Sequence, residues 1–212
     1  MSTRASAWLA WTLAGLSVAM FLASVVLYVL AYSSQQALST GDALSDLLLY
    51  VPFLVFPIVG ALIASRHPKN PVGWICLAVG LFWMLSAVGD QYEAENTVVI
   101  DALIQAIWVP PVGLLGIYLI LLFPDGKLPS RRWRPLAWLS GVVMVLASLG
   151  ITLAPGPLEG HPGVRNPLGL EGAPWVATAG IVILLLLPLC MLASALSLVL
   201  RYRHSRGRSE NR

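Results

Sequence analysis

The chain has 212 residues, of which 58% are hydrophobic and 11% charged, with a formal net charge of +3 at pH 7 and a mean hydropathy of +0.79. A soluble domain carries about 25% charged residues, so a water-exposed globule is excluded. Intrinsic disorder is excluded too, because unfolded chains are poor in apolar residues and rich in charge. The composition is that of an all-α, polytopic membrane protein, a bundle of transmembrane helices.

A hydrocarbon core about 30 Å thick needs roughly 20 apolar residues per crossing, and backbone groups left unpaired cannot face lipid. Six runs satisfy this: Trp8 to Tyr32, Leu47 to Ala64, Trp74 to Gly89, Val98 to Phe123, Leu136 to Ala154 and Trp175 to Leu200. The first lies close to Met1, has no Ala-x-Ala cleavage site in the right place and is too long for a signal-peptide core, so it is expected to be a mature helix. In it Gly15, Ala19 and Ala23 recur every four residues, a smooth face expected to pack within the molecule, with a dimer seam as the alternative. The third run is the shortest and would thin the local bilayer. At the start of the fourth, Ile100, Leu103, Ile104 and Ile107 follow a helical repeat with Asp101 and Gln105 on another face, and Asn96 or Thr97 is placed to cap it. This stretch reads as the opening turns of a span unbroken as far as Pro110, rather than as a separate interfacial helix. Pro52, Pro57, Pro110, Pro111 and Pro188 interrupt spans and are expected to kink them, for packing shape or as signalling hinges.

Charges in the connections set the orientation, since short cytoplasmic loops collect Lys and Arg. Arg4 precedes the first span, Arg66 and Lys69 follow the second, and Lys127, Arg131, Arg132 and Arg134 follow the fourth. Arg201, Arg203, Arg206, Arg208 and Arg212 follow the sixth. Twelve of the 13 basic residues therefore share one side, opposite Arg165. Asp42, Asp46, Asp90, Glu93, Glu95, Asp101, Glu159 and Glu171 fall on the Arg165 side, and Asp125 and Glu210 on the other. Both termini are expected in the cytoplasm, which an even span number requires. Residues 1–200 form the six-helix domain and 201–212 a basic cytoplasmic tail suited to anionic headgroups. Trp8, Trp11, Trp74, Trp133 and Trp138 fall at expected inner ends, and Tyr32, Tyr50, Tyr92 and Trp175 at outer ends. Trp83 and Trp108 fall inside spans.

No ionisable side chain falls at mid-depth, which argues against a proton-coupled transporter, a pump or an intramembrane protease. A receptor for an apolar ligand needs only a cavity. Cys76 and Cys190 fall within spans, so no disulfide is expected. His67, His161 and His204 are divided between the two sides and build no metal site. Nucleotide-binding, esterase and metalloprotease motifs are missing. Catalytic, cofactor-binding and metal residues are all expected to be none, and nucleic acid is not an expected partner.

Three stretches carry more pattern than solvated loops need. The second loop reads Arg66-His67-Pro68-Lys69-Asn70-Pro71-Val72-Gly73-Trp74, where Asn-Pro forms a turn and Gly73 closes onto the third helix. The fourth runs from Leu122-Phe123-Pro124-Asp125-Gly126-Lys127 to Arg134-Pro135, with Pro-Asp-Gly a tight turn. The third is Arg201-Tyr202-Arg203-His204-Ser205-Arg206-Gly207. Together, over about 60–207, they resemble the N-terminal membrane region of a group of bacterial sensor histidine kinases. The resemblance implies an inner-membrane protein acting as a signalling input or partner-binding module, with a histidine kinase or a homo-oligomer as partner besides the lipid bilayer. It does not extend to kinase activity. The phospho-acceptor, Asn-box and Gly-lid motifs do not occur in these residues, and His204 lacks the surroundings of a phospho-acceptor. The chain is thus expected to be a stand-alone or truncated sensory region. The kinked spans also suit a small transporter or channel subunit. His67 to Gly73 and His161 to Gly169 both hold His-Pro followed by Asn-Pro-x-Gly, which is shared turn chemistry or an inverted repeat, the former being the simpler reading.

Overall fold

The computed structural model describes residues 3–33, 45, 47–90, 98–123, 125–128, 130–158 and 161–209. Asp42, Asp46, Tyr92, Glu93, Glu95, Asn96, Thr97, Pro124, Glu159, Glu210 and Arg212 lie outside the described residues. Among the described residues six helices are long and apolar enough to cross a membrane: Arg4–Leu30, Leu47–Arg66, Pro71–Asp90, Val98–Leu122, Arg131–Thr152 and Trp175–Leu200. At 1.5 Å per residue the shorter ones reach about 30 Å, the depth of the hydrocarbon core. The chain is a multi-pass membrane protein.

The third span is longer than its apolar run suggests. It starts at Pro71 because the Asn70 side-chain oxygen accepts the Val72 backbone N–H at 3.0 Å. That is a helix N-cap, and proline suits the first helical position because its missing N–H would have no partner there. Asn-Pro is therefore the start of the helix and not a turn ahead of it. Gly73 lies inside the first helical turn, where a Cβ would stand 2.7 Å from the Ala64 backbone nitrogen. Glycine at 73 lets the second and third spans touch.

Departures from regular helix lie at or shortly before the interrupting prolines. The second span opens through a 3-10 turn, Val51–Leu54, that contains Pro52 and precedes Pro57. The sixth divides into Trp175–Leu184 and Leu186–Ser209, one turn before Pro188. The fourth departs most. Its opening helix, Val98–Ile104, gives way to a turn over 105–108, then to Val109–Gly113, a π-helical turn Leu114–Leu119 and Ile120–Leu122. The expectation of an unbroken helix up to Pro110 is thus corrected. Pro110 and Pro111 supply no N–H to the carbonyls a turn earlier, and their rings crowd those carbonyls. The backbone ahead of them tightens to Ile107 N–H bonding Ile104 and Val109 N–H bonding Ala106.

The helices form two groups. The first three spans pack on one another around Ala10, Ala14, Ala61, Ala64 and Leu77, and the last three around Ile117, Val143, Leu187 and Cys190. The third and fourth spans join the groups. Small residues make these seams. Ser6, Ser17 and Ser24 of the first span are buried, with Ser17 and Ser24 hydroxyls donating to carbonyls of their own helix. Met144 and Met191 lie against Gly113 and Gly116 of the fourth span. Lipid is as apolar as leucine, so close contact and not apolar burial holds such helices together. This corrects the reading of the first span. Its inward face is Ser6, Ala10, Ala14, Ser17 and Ser24, whereas Gly15, Ala19 and Ala23 are exposed and nothing lies within 4 Å of a Cβ built on Gly15.

One element departs from the all-helical expectation. Between the fifth and sixth spans Pro157–Leu158 (β1) pairs antiparallel with His161–Arg165 (β2) in a short irregular hairpin. A two-residue strand is too short to show an alternating pattern in sequence. Cys76 and Cys190 are buried free thiols, one in each helix group.

Candidate functional site

The fifth helix ends at Thr152; the turn just beyond serves the Leu149 and Ile151 carbonyls through Leu153 and Ala154 N–H, while the last carbonyls need further donors. Residues from elsewhere supply them. The Asn166 side-chain amide donates to the Thr152 and Ala154 carbonyls at 2.8 and 2.9 Å, and Leu170 N–H reaches the Leu153 carbonyl at 3.1 Å. Gln105, from the broken turn of the fourth span, donates its Nε2 to the Ile151 carbonyl at 3.2 Å. Asn166 is itself almost fully buried and accepts Leu168 N–H on its side-chain oxygen at 3.0 Å. Its backbone N–H donates to Gly156, and its carbonyl accepts Gly169 N–H. One asparagine thus ties the helix end, the hairpin and the return segment together.

Under this knot lies a cavity of about 420 Å³, within the range that holds small molecules. Its walls are mainly aliphatic, with Ile151, Leu158, Ile181 and Leu184 prominent, and Gln105 and Asn166 are its polar members. Among the described residues no charged side chain lines it. Gly150 and Gly180, also in its lining, bring the fifth and sixth spans into backbone contact, since a Cβ on Gly150 would stand 2.6 Å from the Gly180 Cα. The hairpin turns Leu158 inward onto the space, while Arg165 pairs with Glu171 at 3.3 Å on the exposed side. Such a chamber suits a neutral, largely apolar molecule: burying a charge there would go uncompensated, while burying hydrocarbon gains about 25 cal/mol per Å².

At the opposite end of the bundle the two loops that carry the motifs meet. Gly126, with φ of +69°, is so close to the second loop that a Cβ would stand 2.5 Å from both the Asn70 side-chain oxygen and the Pro71 ring. The meeting gathers Arg66, Lys69, Lys127, Arg131, Arg132 and Arg134, all exposed, at one basic end. The Trp74 indole N–H donates to the Pro68 carbonyl at 3.0 Å, fixing the loop that joins second to third span. Tyr50 donates its hydroxyl to Asp90 at the other end of the same pair of helices. Trp83 is inside its span, as its position suggests, and stacks on Phe53 with ring centroids 4.3 Å apart.

The two Asn-Pro segments use one local device, an asparagine oxygen accepting the N–H two residues on. Asn70 begins a helix with it and Asn166 does not, which supports turn chemistry over a repeated unit. Gln105 and Asn166 are the cavity residues that sequence reasoning did not single out as a site. Their signal was present as a polar residue near a span end and as an Asn-Pro step, but not the fact that both serve the same helix end. Among the described residues no three His, Cys, Asp or Glu side chains converge to hold a metal ion. Compared with known proteins, the chain matches no protein-family profile, no curated protein and no solved structure.

Proposed function

We propose that this chain is the membrane-embedded input module of a signalling system, taking up a small apolar molecule in the cavity under the hairpin and passing the event to a partner at the basic end. In this reading the protein resides in the bacterial inner membrane with both termini in the cytoplasm. Its partner is a sensor histidine kinase or a second copy of itself, and it performs no catalysis of its own. The observation that carries the proposal is the cavity itself, built from three spans and a hairpin. Its polar groups are engaged in holding the fifth helix end, so occupancy bears directly on how the fourth, fifth and sixth spans meet. The kinks at Pro110, Pro111 and Pro188 lie on two of those same spans and supply places where they bend. Support for the orientation comes from the charge asymmetry of the loops.

The test is binding of an environment-sensitive apolar dye, N-phenylnaphthylamine, to the purified protein in nanodiscs. Saturable binding that is lost on filling the chamber with Ala177→Trp, while thermal unfolding is unchanged, is the expected result. Dye binding indifferent to Ala177→Trp, or a protein that associates neither with a histidine kinase nor with itself at native expression, overturns the proposal.

A further inference from the structure

A second depression lies on the lipid-facing side of the bundle, between the fourth and fifth spans. It measures about 400 Å³ and is lined by Tyr118, Trp138, Gly141, Val142, Val145 and Leu146. Tyr118 turns its hydroxyl to the Ala137 carbonyl at 2.5 Å, so the phenol on this wall is engaged. Gly141 keeps the notch open, because a Cβ there would stand 2.9 Å from that hydroxyl. Trp138 is 78% exposed, Val145 59% and Val142 50%. Within a membrane span such exposure is exposure to hydrocarbon, and an acyl chain is what reaches a groove opening sideways into it.

The same ridge of the fifth span leads out of the bilayer. Arg134, Trp138, Gly141, Val142 and Val145 follow the four- and three-residue steps of one helical face. Arg134 opens the helix Arg134–Thr152, and Arg131 and Arg132 sit in the 3-10 turn just before it, all three exposed. From Arg134 the helix rises about 6 Å to Trp138 and about 17 Å to Val145, which matches one leaflet's hydrocarbon depth of about 15 Å. Arginines therefore stand at headgroup level directly below an acyl-sized groove, with an aromatic ring at the boundary. Guanidinium groups bind phosphate oxygens in bidentate fashion, and three of them within four residues exceed what a zwitterionic headgroup neutralises.

We propose that this groove is a binding site for one anionic phospholipid, its acyl chain along Trp138, Gly141, Val142 and Val145 and its phosphate on Arg134 with Arg131 and Arg132. The site is independent of the cavity under the hairpin, which lies at the other end of the bundle.

The test is native mass spectrometry of the detergent-purified protein titrated with phosphatidylglycerol or with phosphatidylcholine of the same chains. One phosphatidylglycerol is expected to be retained, with affinity at least about five-fold above phosphatidylcholine, since each surface arginine accounts for about that factor. Arg134→Gln lowers phosphatidylglycerol affinity about five-fold and phosphatidylcholine affinity by less, so the preference between them narrows. Val145→Phe, which blocks the groove, weakens both lipids. Neither substitution leaves a hole in the core, because both side chains are exposed, and unchanged thermal unfolding verifies this. Equal retention of the two lipids, insensitivity to Val145→Phe, or a dimer that covers the groove and excludes lipid overturns the proposal.

Discussion

Gly126 meets two demands at once, a left-handed backbone and a neighbour too near for a side chain. Alanine there takes on the cost of positive φ and the collision with Asn70 and Pro71. Gly126→Ala should lower stability by about 1–3 kcal/mol, read as a fall in the midpoint of denaturant unfolding in micelles. Gly15→Ala is the contrasting case, since it meets open space on a helix and should be neutral or stabilising by up to about 1 kcal/mol in the same assay. Ser86 offers a third. Its hydroxyl is buried without a hydrogen-bond partner among the described residues, so Ser86→Ala should hold or raise stability, because a buried polar group without a partner costs about 1–3 kcal/mol. A fall in stability would show that the hydroxyl has a partner. At this scale the sequence is least direct. In the fourth span the apolar repeat is Ile100, Leu103, Ile104 and Ile107, yet the first two face outward, the other two are half-buried, and the fully buried line is Ala102, Ala106 and Val109. Where lipid is the solvent, size and not hydropathy separates inside from outside.

Elements were more legible than contacts. Each of the six spans follows from its length and apolarity, and each proline flagged in the sequence lies in, or within three residues after, a departure from regular helix. The apolar run alone makes the third span too short, because Asn70 and Pro71 look like a turn in sequence and only the cap bond to Val72 makes them the helix start. Asn70→Ala should cost about 1 kcal/mol and fray the first turn, measurable as faster amide exchange at residues 72–75. Asn166 belongs to the same scale. Its removal leaves the Thr152 and Ala154 carbonyls without their side-chain donor, so Asn166→Ala should speed exchange across residues 153–158 and 163–170 and weaken dye uptake in the cavity. Unchanged exchange there would mean the hairpin is held by other contacts. The cavity was not legible, because it depends on Gln105, Asn166 and Gly180 converging from segments up to 75 residues apart in sequence, and no local pattern encodes that distance.

For the whole molecule, the contacts between loops say which of the charged connections share an end. The loops bearing Lys69 and Lys127 belong to one end, where Asn70 meets Gly126, and the segment bearing Arg165 belongs to the other. Single cysteines at 69 and 127 should therefore react with an impermeant thiol reagent from the same side of sealed membrane vesicles, and one at 165 from the opposite side. Shared labelling of all three would refute a six-span path.

The order in which helices meet also bears on how the protein is made. The first three spans touch one another through Ala10, Ala61, Ala64 and Leu77. Contacts between near neighbours along a chain form early, because little loop entropy opposes them. That half has its own partners on leaving the translocon, so it can assemble while the ribosome is still translating the remainder. The fourth span, which packs on the third, should then emerge beside a surface that is already formed.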